Sequence, residues 1–591
     1  MATSKPLTLS DMPIELLIDN LFPVMGTSDI VRLSSTDKYF SMICSDEMLW
    51  KRKLESDFNF TGTGTARTSG WKFIYRGLFK PRVFVWGERS NGRLGLSKYS
   101  SNHGVPFPTE LRIPEARIVN LVAGGMSFHA LDSKGRVFVW GTLDGTAPTL
   151  QSDGFSEPGK RADTPVRLHL PAPVRSVSCG RLHSSCLDQK NRIWTFTNWG
   201  RPFYLSSNLL TDPNLAPLQV ECGWGFSSLL TKSGDVFVWW PFSGAMGEAV
   251  EAKNNEMDQV GDKKATLTAD GVIPCIPWDV NIAPFRLPSI PILPELPSTG
   301  KEQKPLPQLI QIAGFDRHIV GLTDNGHVLK FGPLDNIERA GHASWEYLPK
   351  FSEISRVKEH PAFVNEDDDS AANRLTPPEA MHITHISANF LHFIAYSTGG
   401  SSIVLMGDTD TMPQSEPKII PALQNRDVIL VVLGDYHNAA LTATGRLLTW
   451  GAYSAGALGL GDPRKLEPGT PGGFETLRDR VRATEHGGGT PPDVSVPTEV
   501  RFDHGRKKSK DRFCFSATAA GWHSGALVID LEPNSDDDDN EIEEAEAQSE
   551  ALREQTIESH RTWETPPIVP LPGIFRVGYA GRGGFGRGVG E

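Results

Sequence analysis

Residues 83–96 read VFVWGERSNGRLGL and residues 447–461 read LLTWGAYSAGALGLG. Each is a short apolar strand ending in Trp-Gly, then a loop, then Gly-x-Leu-Gly-Leu. A word that returns after so long an interval signals a repeat architecture, and a repeat settles the fold before any local preference does. Two half-words alternate between residues 82 and 531. One is a glycine turn and a strand that ends in an aromatic residue, as in SKGRVFVWG at 133–141 and KSGDVFVWW at 232–240. The other is a strand, a small-residue turn that often carries His, and a second strand, as in VNLVAGGMSFHAL at 119–131 and VILVVLGDYHNAAL at 428–441. Each half-word occurs seven times. The series opens with the Trp-Gly half alone at 82–87 and closes with the Gly-x-x-His half alone at 513–531. Seven complete sheets then require the two ends of the array to share one sheet, which hides edges that an open stack would expose. The alternation of Val83 and Val85 against Phe84 and Trp86 suits half-buried strands, and the Asn-Gly and Ser-Gly punctuation suits hairpins. The pattern predicts a mainly β chain: a seven-bladed β-propeller over 82–531, closed by N- and C-terminal strands.

Composition bounds the function. The chain has 591 residues and a formal net charge of -12. Residues 532–564 hold thirteen acids and two bases, so this segment carries -11 and the remainder is close to neutral at -1. A near-neutral body gives no polyanion-binding signature, so nucleic acid is not expected as the main partner. Six cysteines without a Cys-x-x-Cys pair argue against a disulfide framework and against zinc. No apolar run approaches the roughly eighteen residues of a membrane helix, and the first residues lack a signal-peptide core. The expectation is a soluble protein of cytoplasm or nucleus, with no cofactor and no membrane partner.

The repeated words resemble those of the regulator of chromosome condensation family: Gly-x-Leu-Gly-Leu, a Pro with a strand, Gly-x-x-His-x-x-Ala-Leu and a terminal Trp-Gly. The Pro step stands at 108–111, 164–168, 416–420 and 497–500. The words erode in the middle, where Phe226 takes a usual His position and Phe331 and Met406 replace Trp. His129, His183, His318, His392, His437 and His523 come one to a blade, which points to a brace within each turn rather than to a metal or catalytic ring. Trp86, Trp140, Trp239 and Trp450 are read in the same structural way. Segments 245–308, 356–382 and 461–511 interrupt the array as long loops. The first carries a Pro-rich stretch expected to be extended and mobile. RKKSK at 506–510 is a weak basic cluster.

Residues 9–54 stand outside the repeat, after a flexible stretch at 1–8. Pro13 suits a first helical turn, Leu16, Leu17 and Leu21 form an apolar stripe, and Pro23 with Gly26 stops that helix. Two more short helices follow at 29–34 and 38–44, then Leu49-Trp50. Three such helices bury too little surface to stand alone. This stretch resembles the F-box. The match rests on Met12-Pro13, Leu16-Leu17, Asp29-Ile30 with Leu33, Tyr39-Phe40 and Leu49-Trp50. The resemblance implies docking on the Skp-type adaptor of a Skp, cullin, F-box ubiquitin ligase, through Met12, Pro13, Ile14, Leu16, Leu17, Ile30, Leu33, Leu49 and Trp50. Residues 55–81 form the joint, and GWKFIYRGLFKP at 70–81 is apolar enough to be a packed helix. Residues 532–591 make an acidic tail that turns Arg/Gly-rich.

The domain order resembles the fungal SCF-associated factor group of F-box proteins. It implies a non-catalytic substrate receptor, with the adaptor, a cullin reached through it and a protein substrate as partners. Guanine-nucleotide exchange on a small GTPase and chromatin association are the alternatives that other propellers of the repeat family suggest.

Overall fold

Chain ends and blade edges set the architecture. The computed structural model describes residues 8–96, 104–144, 154–260, 264–297, 304–364, 375–398, 402–504 and 510–531. RKKSK, apart from its last residue, and the tail from 532 onward lie outside these residues.

Seven sheets form around one axis, all antiparallel apart from one parallel outermost strand in each of two. Blade 1 joins the two ends of the array. Val105–Leu111 and Arg82–Gly87 come from its start, His523–Asp530 and Arg512–Ala520 from its end. Val83 pairs with Leu527 and Gly87 with His523 in one continuous antiparallel register. Blade 2 spans 118–168, blade 3 174–205, blade 4 217–286, blade 5 309–347, blade 6 385–419 and blade 7 428–499. Their first strands, with Arg512–Ala520 of blade 1, form the inner ring, each beside the next. The apolar core is divided among the seams between neighbouring blades. Leu131, Val139 and Val166 of blade 2 meet Trp194 and Phe196 of blade 3, for example, and Phe315 and Val320 of blade 5 meet Phe393 and Leu405 of blade 6.

The two opening words prove to be halves of one seam contact. The Trp86 indole Nε1 donates to the Ala457 carbonyl at 2.8 Å, so the Gly-x-Leu-Gly-Leu loop of blade 7 sits on the tryptophan of blade 1. A Cβ at Gly459 would lie 2.8 Å from Trp86 Nε1, and one at Gly95 of blade 1 would lie 3.0 Å from Trp140 Cδ1 of blade 2. Both glycines also hold positive φ, near +70°. The motif therefore needs glycine twice over, for conformation and for approach to the next blade's ring. Phe226, Phe331 and Met406, the departures from the repeat, are buried apolar residues.

The long segments differ from the loops expected. Part of 245–308 is a strap. After helix Gly244–Gln259 the chain runs back along the rim, where Val272–Ile273 adds in parallel to the outer strand of blade 2 and Trp278–Val280 to that of blade 3. It then supplies the outer strand of its own blade, Phe285–Arg286. The Pro-rich stretch beyond is extended but pinned to blade 5: Trp345 Nε1 donates to the Pro288 carbonyl at 3.0 Å, and His327 Nε2 to the Pro294 carbonyl at 2.8 Å. Strand Val494–Glu499, inside 461–511, is likewise the outer strand of blade 7. Proline runs remove donors but leave carbonyls, and here the carbonyls do the anchoring. Sequence composition reports the first property and not the second.

The amino-terminal helices are one more than expected. The helical run from Ile14 to Val24 is followed by Thr27–Ser34, Lys38–Ile43 and a twelve-residue helix Glu47–Phe58 that passes the expected boundary at 54. Asp37 caps the third through Phe40 N–H at 2.9 Å, and Asp46 the last through Met48 and Leu49 N–H at 2.8 and 3.1 Å. Each such cap is worth about 1 kcal/mol. Glu47 in turn caps the joint helix Trp71–Gly77, accepting from Gly70 and Trp71 N–H at 3.1 and 2.8 Å. Tyr75 locks the joint: its hydroxyl donates to Asp57 at 2.7 Å and lies 2.6 Å from Thr27 Oγ1, while its ring packs edge-on against Trp50 and Phe58.

Replacing Gly459 by Leu should lower unfolding free energy by about 3 kcal/mol, the combined cost of overpacking against Trp86 and of a side chain at positive φ. Gly225→Ala, at a glycine with open space and no positive φ, should stay within about 0.5 kcal/mol. Denaturant titration of both variants checks the pair.

Candidate functional site

The propeller has two unlike ends. One is occupied by the helical region, which seats on the starts of the inner strands. Asn59 Nδ2 donates to the Val174 carbonyl at 2.9 Å and Ala66 N–H to the Ile429 carbonyl at 2.7 Å. Phe73 packs on Phe513 and Phe60 on Phe515. Arg117, just before the inner strand of blade 2, lies 5.2 Å from the ring centroids of both Phe58 and Phe79. One continuous buried cluster runs from Leu17, Trp50 and Trp71 into Val83, Phe515 and Leu527.

The residues assigned to adaptor contact divide. Met12, Pro13, Ile14 and Leu16 are exposed and Leu33 is half-buried. Leu17, Ile30, Leu49 and Trp50 are at most 2% exposed and belong to the cluster just described. Their placement on an adaptor-facing surface is corrected: the spacing of leucines reports which residues are apolar, and the apolar stripe with most neighbours goes inward. Val24, Val31, Met42 and Met48, which the pattern missed, are exposed by half or more. With Met12, Ile14 and Leu16 they make seven large apolar side chains open to solvent within residues 12–48.

At the opposite end, seven turns between first and second strands surround the axis. Arg181 of blade 3 reaches Asp435 of blade 7 at 3.3 Å and its guanidinium lies 5.0 Å from the Trp224 ring centroid. Trp224, Phe390 and Tyr436 continue as an aromatic row with centroid spacings of 5.5 and 5.9 Å. These groups close the axis, leaving about 20 Å³, room for little more than a water. Leu391, Tyr436 and Trp522 are exposed beside them.

The repeated histidines join blades. His129 Nε2 is 2.9 Å from Ser184 Oγ of blade 3, and its Nδ1 3.1 Å from Cys179 Sγ. His183 Nε2 donates to the Phe226 carbonyl of blade 4 at 3.1 Å. His437 Nε2 is 2.8 Å from Ser524 Oγ, and His523 Nε2 donates to the Ser127 carbonyl at 3.3 Å. In these four the side chain bonds to the next blade rather than to its own turn. The Nδ1 of His318 is buried without a partner, as are those of His183, His437 and His523, and the His318 ring lies 5.5 Å from Phe315. His392 is partly exposed, and burial lowers its pKa. Trp86, Trp140, Trp239 and Trp450 are all buried, and Trp239 Nε1 donates to Thr195 Oγ1 of blade 3 at 3.1 Å. Polar side chains along the channel do the same work as the histidines. Gln219 bridges to the backbone of Ile312, Gln311 to Ile386, Asn389 to Leu433 and Thr518 to Ala123. Among the described residues no three His, Cys, Asp or Glu side chains converge as metal ligands, and no helix is long and apolar enough to cross a membrane.

Residues 428–454, the inner three strands of blade 7, match the regulator of chromosome condensation (RCC1) repeat. The chain thus holds one stretch that matches this repeat. It is similar to F-box protein pof9 of Schizosaccharomyces pombe, 28% identical over 531 residues that cover 87% of this chain and 90% of that one. It is similar also to SCF-associated factor 1 of Saccharomyces cerevisiae, 36% identical over 129 residues, 21% of this chain and 17% of that one. Among solved structures it resembles Prp20p of Saccharomyces cerevisiae, reported with its binding properties to Gsp1p and histones. Identity there is 17% over 80% of this chain and 95% of that one, with a TM-score of 0.44. The seven-bladed propeller itself rests on the sheet order.

Burial pushes His183 and His437 down to about 4, His129 to about 3 and His523 well below its ordinary value. These rings are neutral in the fold, whereas the unfolded chain protonates them near pH 6.5, so their contribution is intact above that pH and is lost as pH falls toward 4. Burial raises Glu221 to about 7 and also raises Asp435, which opposes the trend, but four histidines outweigh two carboxyls. Each of His183 and His437 should cost about 2 kcal/mol of stability at pH 5. Unfolding titrations across pH 7 to 5 should show a loss for the native chain, and His437→Gln should make the slope shallower by about one proton.

Proposed function

We propose that this chain is the substrate-recognition subunit of a Skp-cullin-F-box ubiquitin ligase. Its helical region docks a Skp-type adaptor, through it a cullin, and its propeller holds the protein to be ubiquitinated. The observation that carries this reading is the exposed apolar surface of residues 12–48 on a domain whose own core is already complete and sealed to the propeller. An apolar surface left over after a domain has packed both itself and its neighbour calls for another protein. The names of two relatives, an F-box protein and an SCF-associated factor, agree with it. In this reading the protein has no catalytic residue of its own and acts by proximity. The stiff joint built on Glu47, Tyr75 and Phe73 keeps the bound substrate at a set distance from the transferring enzyme.

The test is a pull-down with recombinant Skp-type adaptor. Ile14→Asp with Leu16→Asp places charge on exposed positions, so the chain stays folded, and burying two carboxylates against the adaptor should reduce binding at least about a hundredfold. Equal binding by native and variant chains removes this surface from the interaction. Nucleotide release from a small GTPase, accelerated by the chain that fails to bind adaptor, would move exchange activity to the front.

A further inference from the structure

The insertion after the third strand of blade 4 builds a groove on the rim. Helix Gly244–Gln259 forms one wall and residues 276–279 of the strap the other, with a cavity of about 540 Å³ between them. Ala249, Ala252 and Met257 line the helix side, and Ile276, Pro277 and Trp278 the strap side. A cavity of this volume takes a few side chains of an extended peptide.

The strap wall is also a sheet edge. Trp278–Val280 is the outermost strand of its sheet, paired with Phe203–Leu205 on one side only. The Trp278 N–H donates to the Pro202 carbonyl at 3.2 Å, and the Val280 carbonyl accepts from the Ser206 N–H at 3.0 Å. Successive residues of such a strand bond to opposite sides, so Asp279 turns its N–H and C=O away from blade 3, and Pro277 adds a second outward carbonyl. Proline is tolerated there because an edge residue needs no donor. An edge of this kind beside an apolar wall is a template onto which an extended chain adds as a further strand.

The charges of the groove have one sign left over. Its only lining cation, Lys253, is held by both carboxylate oxygens of Glu256 at 2.8 and 2.9 Å. The other lining carboxylate, Asp279, is exposed and meets only the neutral Ser206 hydroxyl at 3.2 Å. Glu248 and Glu251, exposed on the helix beside Ala249 and Ala252, make no ion pair among the described residues. Asp258, the remaining acid of the helix, is paired with Arg201 at 2.6 Å. The lining is therefore net negative and its helical flank adds to that sign, which complements a cationic occupant.

We propose that this groove receives an extended basic segment of a partner protein, which adds as a strand at Asp279. Its cations face Asp279 and the Glu248 flank, and its apolar side chains rest on Met257 and Trp278. The site lies on the rim, is separate from the adaptor surface of the receptor reading and does not depend on that reading.

Fluorescence anisotropy of the full chain with a labelled heptapeptide alternating valine with lysine tests it, beside the matched valine–glutamate peptide. Two further lysine peptides carry N-methyl groups on one or the other set of alternate backbone nitrogens. The lysine peptide should bind at least about tenfold more tightly than the glutamate peptide, and added salt should weaken it. Only one set of nitrogens faces the edge, so one methylated peptide should lose at least about tenfold more affinity than the other. Asp279→Lys with Glu248→Lys should erase the preference for lysine, and Ala252→Trp should block the lysine peptide by filling the groove. All three positions are exposed, so denaturant titrations of the variants should match that of the native chain, which verifies folding. Equal affinity for the lysine and glutamate peptides, equal effects of the two methylation patterns, unaffected variants, or no peptide binding each overturns the proposal.

Discussion

Everything in this molecule depends on the pairing of Arg82–Gly87 with His523–Asp530. That ladder joins residues more than 400 positions apart, and it fixes both the number of blades and the identity of the seams. Once it forms, the Gly-x-Leu-Gly-Leu loop of blade 7 meets Trp86, and His437 and His523 complete the circuit through Ser524 and Ser127. The ring of blades then has no open end, and first strands are held by side chains of neighbouring blades. The same ladder brings Ile529 beneath the joint, so closing the propeller also builds the seat of the helical region.

A ring closed in this way makes the two ends of the axis independent surfaces on one rigid body. Strand starts lie under the helices, strand turns lie open, and nothing passes along an axis that Arg181, Trp224, Phe390 and Asp435 fill. The rim is reinforced by the strap that adds strands to blades 2 and 3, which leaves the open end as the place where insertions can vary without touching the scaffold. An adaptor at one end and a substrate at the other would each be held without competition.

Sequence legibility followed the range of the interactions. Blade number and closure were readable because they are encoded in words that recur. The seam role of Trp86 and Gly459 was not, since it joins words from different blades, and a pattern read along one strand carries no information about the strand beside it. The F-box-like stretch was readable as a set of apolar positions, but Leu17, Leu49 and Trp50 went inward while Val24, Val31 and Met42 stayed out. Which apolar residue is left over depends on how the propeller seats the helices, a non-local fact. The Pro-rich stretch beyond the strap was read as mobile because proline content signals missing donors, whereas blade 5 holds it by its carbonyls.

Amide hydrogen exchange of the full chain with and without a Skp-type adaptor tests the central claim, that adaptor and substrate surfaces lie at opposite ends of one body. The account predicts slowed exchange confined to the helical segments within residues 12–48, with the turns at 180–183, 434–437 and 520–523 unchanged. Protection of those turns by the adaptor, or no protection in residues 12–48, would contradict it.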